Sequence, residues 1–202
     1  MTIDMNCQSN QKNTAFISMG SNMGDRLNNC RNGIFLLNKV DSVFVENLSN
    51  FYLTEPMEFI DQSWFVNAAA QIKTSAGPLQ LITILKTVET EMGRVSSEHR
   101  YGPRILDFDI IFYDDEIIDT PELVVPHPRM HYREFVLRPL CELCPDKNHP
   151  ILKKNMKQLL DGIKGSRQRC FKIDKSFRGK KLSYDRHQPL TDQEEASHEI
   201  LY

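Results

Sequence analysis

The stretch RYGPRILDFDII, from Arg100 to Ile111, constrains this chain more than any other. Its second half, Ile105 to Tyr113, is rich in branched and aromatic residues and predicts a strand. Side chains alternate faces along a strand, so Asp107 and Asp109 point one way, Phe108 and Ile110 the other. The two aspartates then stand about 6.5–7 Å apart at their Cα atoms. That separation suits one hard cation, or two cations roughly 3.5–4 Å apart that share oxygens. Without a cation the charges repel and one carboxyl pKa rises. The pair alone fits a wet face of an edge strand equally well. The neighbours upstream tip the balance: Gly102-Pro103 is a turn signal, and Arg100 and Arg104 set fixed cations beside the acids. Carboxylates, a divalent cation and guanidinium together suit a polyphosphate.

The 202 residues, 40% hydrophobic and 26% charged, describe an ordinary globular domain with length to spare for a tail. A net charge of -2 gives no global field for nucleic acid. Five cysteines without regular spacing argue against a disulfide framework, and the lone Cys141/Cys144 CxxC reads as thiols near a helix end. The polar first fifteen residues do not form a signal peptide, and no apolar run reaches membrane-spanning length. A cytoplasmic setting is expected.

Residues 1–13 read as a flexible leader. Thr14–Met19 is a strand running through Gly20-Ser21-Asn22-Met23-Gly24 into a helix from about Asp25, with Leu27, Cys30, Ile34 and Leu37 at helical spacing. Such a turn can receive an anion, but GxxxxGK[ST] is absent and a P-loop is excluded. Asp41–Leu53 predicts one long or two short strands, Thr54–Ser63 a loop, and Trp64–Thr74 a strand. Asn67, inside that strand, reads most simply as a buried amide that satisfies backbone. A helix is expected over Leu79–Met92, closed by Gly93, followed by a basic loop, Arg94–Arg104. Asp114-Asp115 predicts a hairpin turn with Glu116–Ile118 as the return strand. Val124–Pro128 is stiffened by proline, which fixes His127. Further helices are expected over Arg133–Leu143 and Lys153–Ile163, with CFKI a short strand in a basic, then polar, tail. Strands interleaved with helices, without a βαβα series, predict an α+β sandwich.

The ordered set SMGSNMGD, FYLTEP, FVNAA, ETEMGR, RYGPRILDFDII, VPHPRM and REFVLRPL resembles the 6-hydroxymethyl-7,8-dihydropterin pyrophosphokinases of folate biosynthesis, from about Thr14 to Ile163. The resemblance implies transfer of pyrophosphate from ATP to the pterin hydroxymethyl group, with release of AMP. It also implies a ferredoxin-like fold, a central mostly antiparallel sheet covered by helices. Asp107 and Asp109 would hold two Mg2+ ions. Arg94, Arg104 and Arg133 would clamp phosphate, His127 would contact the triphosphate or its nucleoside, and Glu89 would lie in the nucleotide region. Phe65 and Phe135 would sandwich the pterin, Asn67 would read its edge, and Thr54 would add a contact. Asp109 is the nearest candidate for the proton acceptor.

Four positions depart from the family pattern. Ser96 stands where many members have a second basic residue, Tyr101 where tryptophan is frequent, Phe108 where a branched aliphatic is usual, and Pro128 where some have tyrosine. None removes a part that the reaction needs. The expected organisation is a leader (1–13), a pyrophosphokinase domain (14–163) and a tail (164–202). The partners are the two small molecules, with no nucleic acid or membrane; a monomer is expected and a dimer left open. The alternative is a non-catalytic pterin- or nucleotide-binding module on the same fold.

Overall fold

The computed structural model describes residues 13–57, 62–93, 102–163 and 168–173. Arg94, Ser96, Arg100 and Tyr101 lie outside those residues, as do residues 1–12 and most of the tail. The described chain runs β1 (Asn13–Ser21), α1 (Arg26–Leu37), β2 (Val43–Leu48), β3 (Tyr52–Thr54), β4 (Phe65–Thr74), α2 (Pro78–Glu91) and β5 (Asp107–Tyr113). It continues through β6 (Ile118–Asp119), β7 (Val124–Val125), α3 (Glu134–Leu143), α4 (Met156–Gly162) and β8 (Cys170–Lys172).

The main sheet has the order β5-β1-β4-β3-β8, with β2 beside the far half of β4. Every pairing among its described strands is antiparallel. The α+β sandwich expected from the sequence is the observed fold. Asp41–Leu53 resolves into two strands, because β2 pairs with Ala70–Thr74 and β3 with Phe65–Asn67.

Alternation along β1 splits the core. Ala15, Ile17 and Met19 face one apolar cluster with Leu37, Leu81, Leu85 and Val88 of the first two helices. Phe16 faces the other, with Val136, Leu137, Leu140 and Leu159 of α3 and α4. A bulge in the β1–β5 ladder, between Phe16 and Ile17, puts Ile111 and Phe112 on the α3 side together. On that same side the sheet continues past Phe16 to Ser18 and Gly20, where α3 no longer covers it.

Local chemistry sets the helix ends. Asp25 caps α1 by accepting from the Asn28 N–H at 3.1 Å. Pro78 opens α2, and Gly93, at φ +88°, follows its end. The last helix begins later than expected, at Met156, because Asn155 and Gln158 form a capping box there. Lys153, just upstream, lies at φ +55° and cannot belong to a helix.

One other expectation needs correction. Asp114-Asp115 does turn the chain, with Glu116 N–H on the Tyr113 carbonyl at 3.0 Å. The residues after it do not return along β5: Ile118–Asp119 pairs with Val124–Val125 instead. Beside β5 the His127 N–H bonds the Ile111 carbonyl at 3.1 Å. The short strand expected at CFKI is observed as Cys170–Lys172, the outermost strand of the main sheet, paired with Tyr52–Thr54. No helix among the described residues is long and apolar enough to cross a membrane.

Candidate active site

The uncovered part of the sheet forms the floor of a cavity of about 280 Å³. Register builds that floor, since residues opposite each other in an antiparallel ladder share a face. Gly20 is opposite both Asp107 and Asn67, and Asn67 is opposite Tyr52. Ser18 is likewise opposite both Asp109 and Ala69. A carboxylate end and an amide end therefore lie on one face, two strand steps or roughly 9–10 Å apart. Between them Gly20 contributes no side chain, and a Cβ there would come within 2.5 Å of Asn67 Oδ1.

At the acid end, Asp107 and Asp109 both line the cavity, and Phe108 between them is buried on the opposite face. Arg104 pairs through Nη1 with Asp107 Oδ2. Lys86 Nζ stands 4.0 Å from Asp107 Oδ1 and 2.9 Å from Glu89 Oε1. Glu89 is 0% exposed and accepts the Phe108 N–H at 2.7 Å. It therefore supports the acid-bearing strand from behind and is not among the residues lining the cavity. The carboxylate answers the one backbone donor that sits between the two aspartates.

His127, Arg129, Arg133 and Phe135 form another wall. His127 Nδ1 accepts the Arg129 N–H at 3.2 Å, which leaves the proton of the neutral ring on Nε2. Burial lowers the His127 pKa from the usual imidazole value, the Asp109 carboxylate opposes that, and Arg133 and Arg129 add to the lowering. The Arg133 guanidinium lies 5.5 Å from the centre of the Phe135 ring.

At the amide end, Thr54 and Phe65 are directly opposite in the β3–β4 ladder. Asn67, 5% exposed, donates through Nδ2 to Thr54 Oγ1 at 2.6 Å. Glu55, Pro56, Met57 and Gln62 complete this side.

Nine residues expected at the site from the sequence thus line one cavity: Thr54, Phe65, Asn67, Arg104, Asp107, Asp109, His127, Arg133 and Phe135. Sequence reasoning missed Lys86, Arg129, Glu55 and Gln62. Lys86 carried a signal, its i,i+3 spacing from Glu89 on a predicted helix. Arg129 stands inside the VPHPRM motif. Gln62 has no local signal; its Oε1 takes the Asn22 Nδ2–H at 2.9 Å. Asn22 is buried and also pairs with the Arg104 backbone in both directions, at 2.7 Å through Oδ1 and 3.1 Å through its own N–H. One asparagine from the SMGSNMGD turn ties the approach to Asp107 to the β3–β4 connection.

Among the described residues no cluster of three or more His, Cys, Asp and Glu could hold a metal ion. Two carboxylates on one strand face are a hard, incomplete donor set, which matches a cation that takes its remaining oxygens from phosphate and water. The four buried or half-buried cysteines Cys30, Cys141, Cys144 and Cys170 are free thiols. Burial pushes Cys141 up to about 11 and Cys144 to about 12, so the CxxC is protonated.

An antiparallel sheet with an acid pair and guanidinium at one end of its cavity, and aromatic rings with an amide at the other, defines this α+β domain. The chain belongs to the 7,8-dihydro-6-hydroxymethylpterin-pyrophosphokinase family, whose model matches residues 16–145. It is 45% identical over 132 residues to the 2-amino-4-hydroxy-6-hydroxymethyldihydropteridine pyrophosphokinase of Bacillus subtilis, covering 65% of this chain and 78% of that protein. Identity to the Haemophilus influenzae enzyme of the same name is 37% over 151 residues, covering 73% and 94%. The folic acid synthesis protein fol1 of Schizosaccharomyces pombe is 35% identical over 175 residues, 87% of this chain but 23% of that one. Among solved structures, a Plasmodium falciparum HPPK-DHPS chain superposes with a TM-score of 0.61 at 17% identity, over 77% of this chain and 46% of that one. That likeness is one of fold.

Proposed function

We infer that this chain transfers pyrophosphate from ATP to the hydroxymethyl group of 6-hydroxymethyl-7,8-dihydropterin, with release of AMP. Family membership makes it a pyrophosphokinase of folate biosynthesis. The observation that supports the reading from the site is the register that puts Asp107 and Asn67 on one face, either side of the bare Gly20. A flat heterocycle beside Asn67 would then direct a substituent along the floor toward the aspartates.

Asp107 and Asp109 would hold two Mg2+ ions. When bound, Mg2+ supplies charge neutralisation of the polyphosphate and alignment for in-line displacement. Arg104 would exchange its contact with Asp107 for phosphate oxygen as the carboxylate turns to the cation. Arg133 and Arg129 would take further phosphate oxygens from the opposite wall, and Lys86 would neutralise charge at the Asp107 end. His127, neutral and with its proton on Nε2, offers a donor that adds no charge. Arg94 belongs with this clamp on the ETEMGR motif.

Phe65 and Phe135 would present ring faces to the pterin, and Asn67, oriented by Thr54, its donor and acceptor to the pterin edge. The attacking group is a primary alcohol whose proton must leave as the new P–O bond forms, and Asp109 would accept it. Positioning and charge compensation carry the catalysis.

The test is to incubate the chain with ATP and Mg2+, with and without the pterin, and to measure AMP. Formation of AMP that depends on pterin is the expected result. Binding of both ligands without AMP would leave only a binding module.

A further inference from the structure

The segment Gln168–Ile173 lies beyond the 16–145 stretch matched to the family, yet it grips the amide end of the cavity at two places. The first is Glu55, which lines the cavity. The β3–β8 ladder ends at Thr54 opposite Cys170 and extends one step further, with the Glu55 N–H on the Arg169 carbonyl at 3.1 Å. Glu55 Oε2 accepts the Arg169 backbone N–H at 3.0 Å, and Oε1 accepts from Nε at 2.8 Å and Nη2 at 2.6 Å. Gln168 Nε2 donates to the Glu55 carbonyl at 2.8 Å.

The second place is Trp64, the residue before Phe65. The Arg169 guanidinium carbon lies 4.9 Å from the centre of the Trp64 ring. The Phe171 ring stacks on the same indole at 6.1 Å and 8°. The Trp64 carbonyl is held by Nη1 of the buried Arg26 at 2.7 Å. One guanidinium thus touches the residue after Thr54 and the residue before Phe65, on either side of the wall that closes the amide end.

We propose that Arg169 is a positioning residue for the pterin: it fastens the Glu55–Met57 wall to the Trp64–Phe65 corner, and so sets the shape of the slot at the amide end. This rests on the assignment of Thr54, Phe65 and Asn67 to the pterin. Arg169 acts through its neighbours and is not among the residues lining the cavity. The side chains of the pair are 48% and 26% exposed, and an exposed ion pair adds little to stability. Its effect is on geometry, so removing it should act on pterin far more than on folding. Lysine would keep a cation for Glu55 but lose the flat fork that lies on the indole and holds Glu55 Oε1 through two nitrogens.

The test uses the full chain, with Arg169→Gln, Arg169→Lys, Glu55→Gln and the double variant Arg169→Gln/Glu55→Gln. Trp64 is the sole tryptophan, so its fluorescence reports on the contact without ligand. Acrylamide quenching should rise about twofold in Arg169→Gln as the cation leaves the ring face. KM for pterin should rise about tenfold with KM for ATP nearly unchanged, because a wall has shifted and the phosphate clamp has not. Arg169→Lys should fall between, and the double variant should be no worse than Arg169→Gln, since the two side chains act as one unit. Unchanged quenching and pterin KM in Arg169→Gln would overturn the proposal. So would a parallel rise in both KM values with a lower melting temperature, which marks a purely structural residue. A parent chain that makes no pterin-dependent AMP overturns the functional reading itself, and with it the role of Arg169 toward pterin.

Discussion

Gly20 lies directly against the amide of Asn67, so close that a Cβ on Gly20 would sit 2.5 Å from Asn67 Oδ1 and 3.7 Å from Phe65 Cδ1. The amide cannot simply swing aside, because its other end donates to Thr54 at 2.6 Å. An added methyl would break that bond or push the amide into the cavity. Gly20→Ala should therefore weaken pterin binding by about tenfold, close to the loss of one buried hydrogen bond to a desolvated partner. Magnesium–ATP affinity should stay within about twofold, since no phosphate contact is touched. Calorimetric titration of each ligand checks both halves, and equal loss for the two would show that the substitution disturbs the whole sheet.

Asp107 and Asp109 share one face and, on the present reading, one metal-dependent task. Asp107→Ala and Asp109→Ala should each abolish turnover, with residual rates below about a tenth of the parent and a double variant hardly slower. Pterin affinity without nucleotide should fall little. Steady-state rates over a magnesium titration test this, and a single variant that keeps more than about a tenth of the rate removes the metal assignment.

Glu89 is buried and accepts the N–H of Phe108, itself 1% exposed. Glu89→Ala leaves that donor without its partner at a cost of about 1–3 kcal/mol. For a chain of this size the melting temperature should fall by about 2–4 °C for each kcal/mol. Turnover should drop as well, because Asp107 and Asp109 flank the loosened peptide. A variant that melts normally but binds ATP poorly would instead support a direct nucleotide contact for Glu89.

His149 and His131 should make the fold sensitive to mild acid. His149 is 4% exposed, its Nδ1 accepts the Ile151 and Leu152 N–H groups at 3.2 Å each, and its ring meets that of His131 at 6.2 Å. Burial lowers the pKa of both, and for His149 the proximity of His131 lowers it further. The unfolded chain therefore takes up these protons first as pH falls through about 6.5. Stability should be flat above that pH, decline below it, and level off once the folded rings also protonate. His149→Asn keeps an acceptor for the two N–H groups and cannot titrate. Its melting curves between about pH 7.5 and 5.5 should show a shallower decline than the parent's; identical slopes would exclude His149 as the cause.

The sequence by itself determined the family and singled out most of the residues that line the cavity. Alternation put Asp107 and Asp109 on one face, turn residues placed Arg104 beside them, and ordered motifs brought Thr54, Phe65, Asn67, His127, Arg133 and Phe135 under suspicion. These are local facts, set by strand period and by residue types within a few positions of each other. Tertiary structure decided what those residues face. Asn67 became an edge of the cavity through its register with Gly20, and Glu89 moved behind the strand because helix α2 packs on the face opposite the acids. Arg169 meets Glu55 and Trp64 because β8 folds back onto β3 across more than a hundred residues of chain. No short-range pattern encodes these pairings; they follow from which apolar faces can be buried together, and that depends on the whole chain at once.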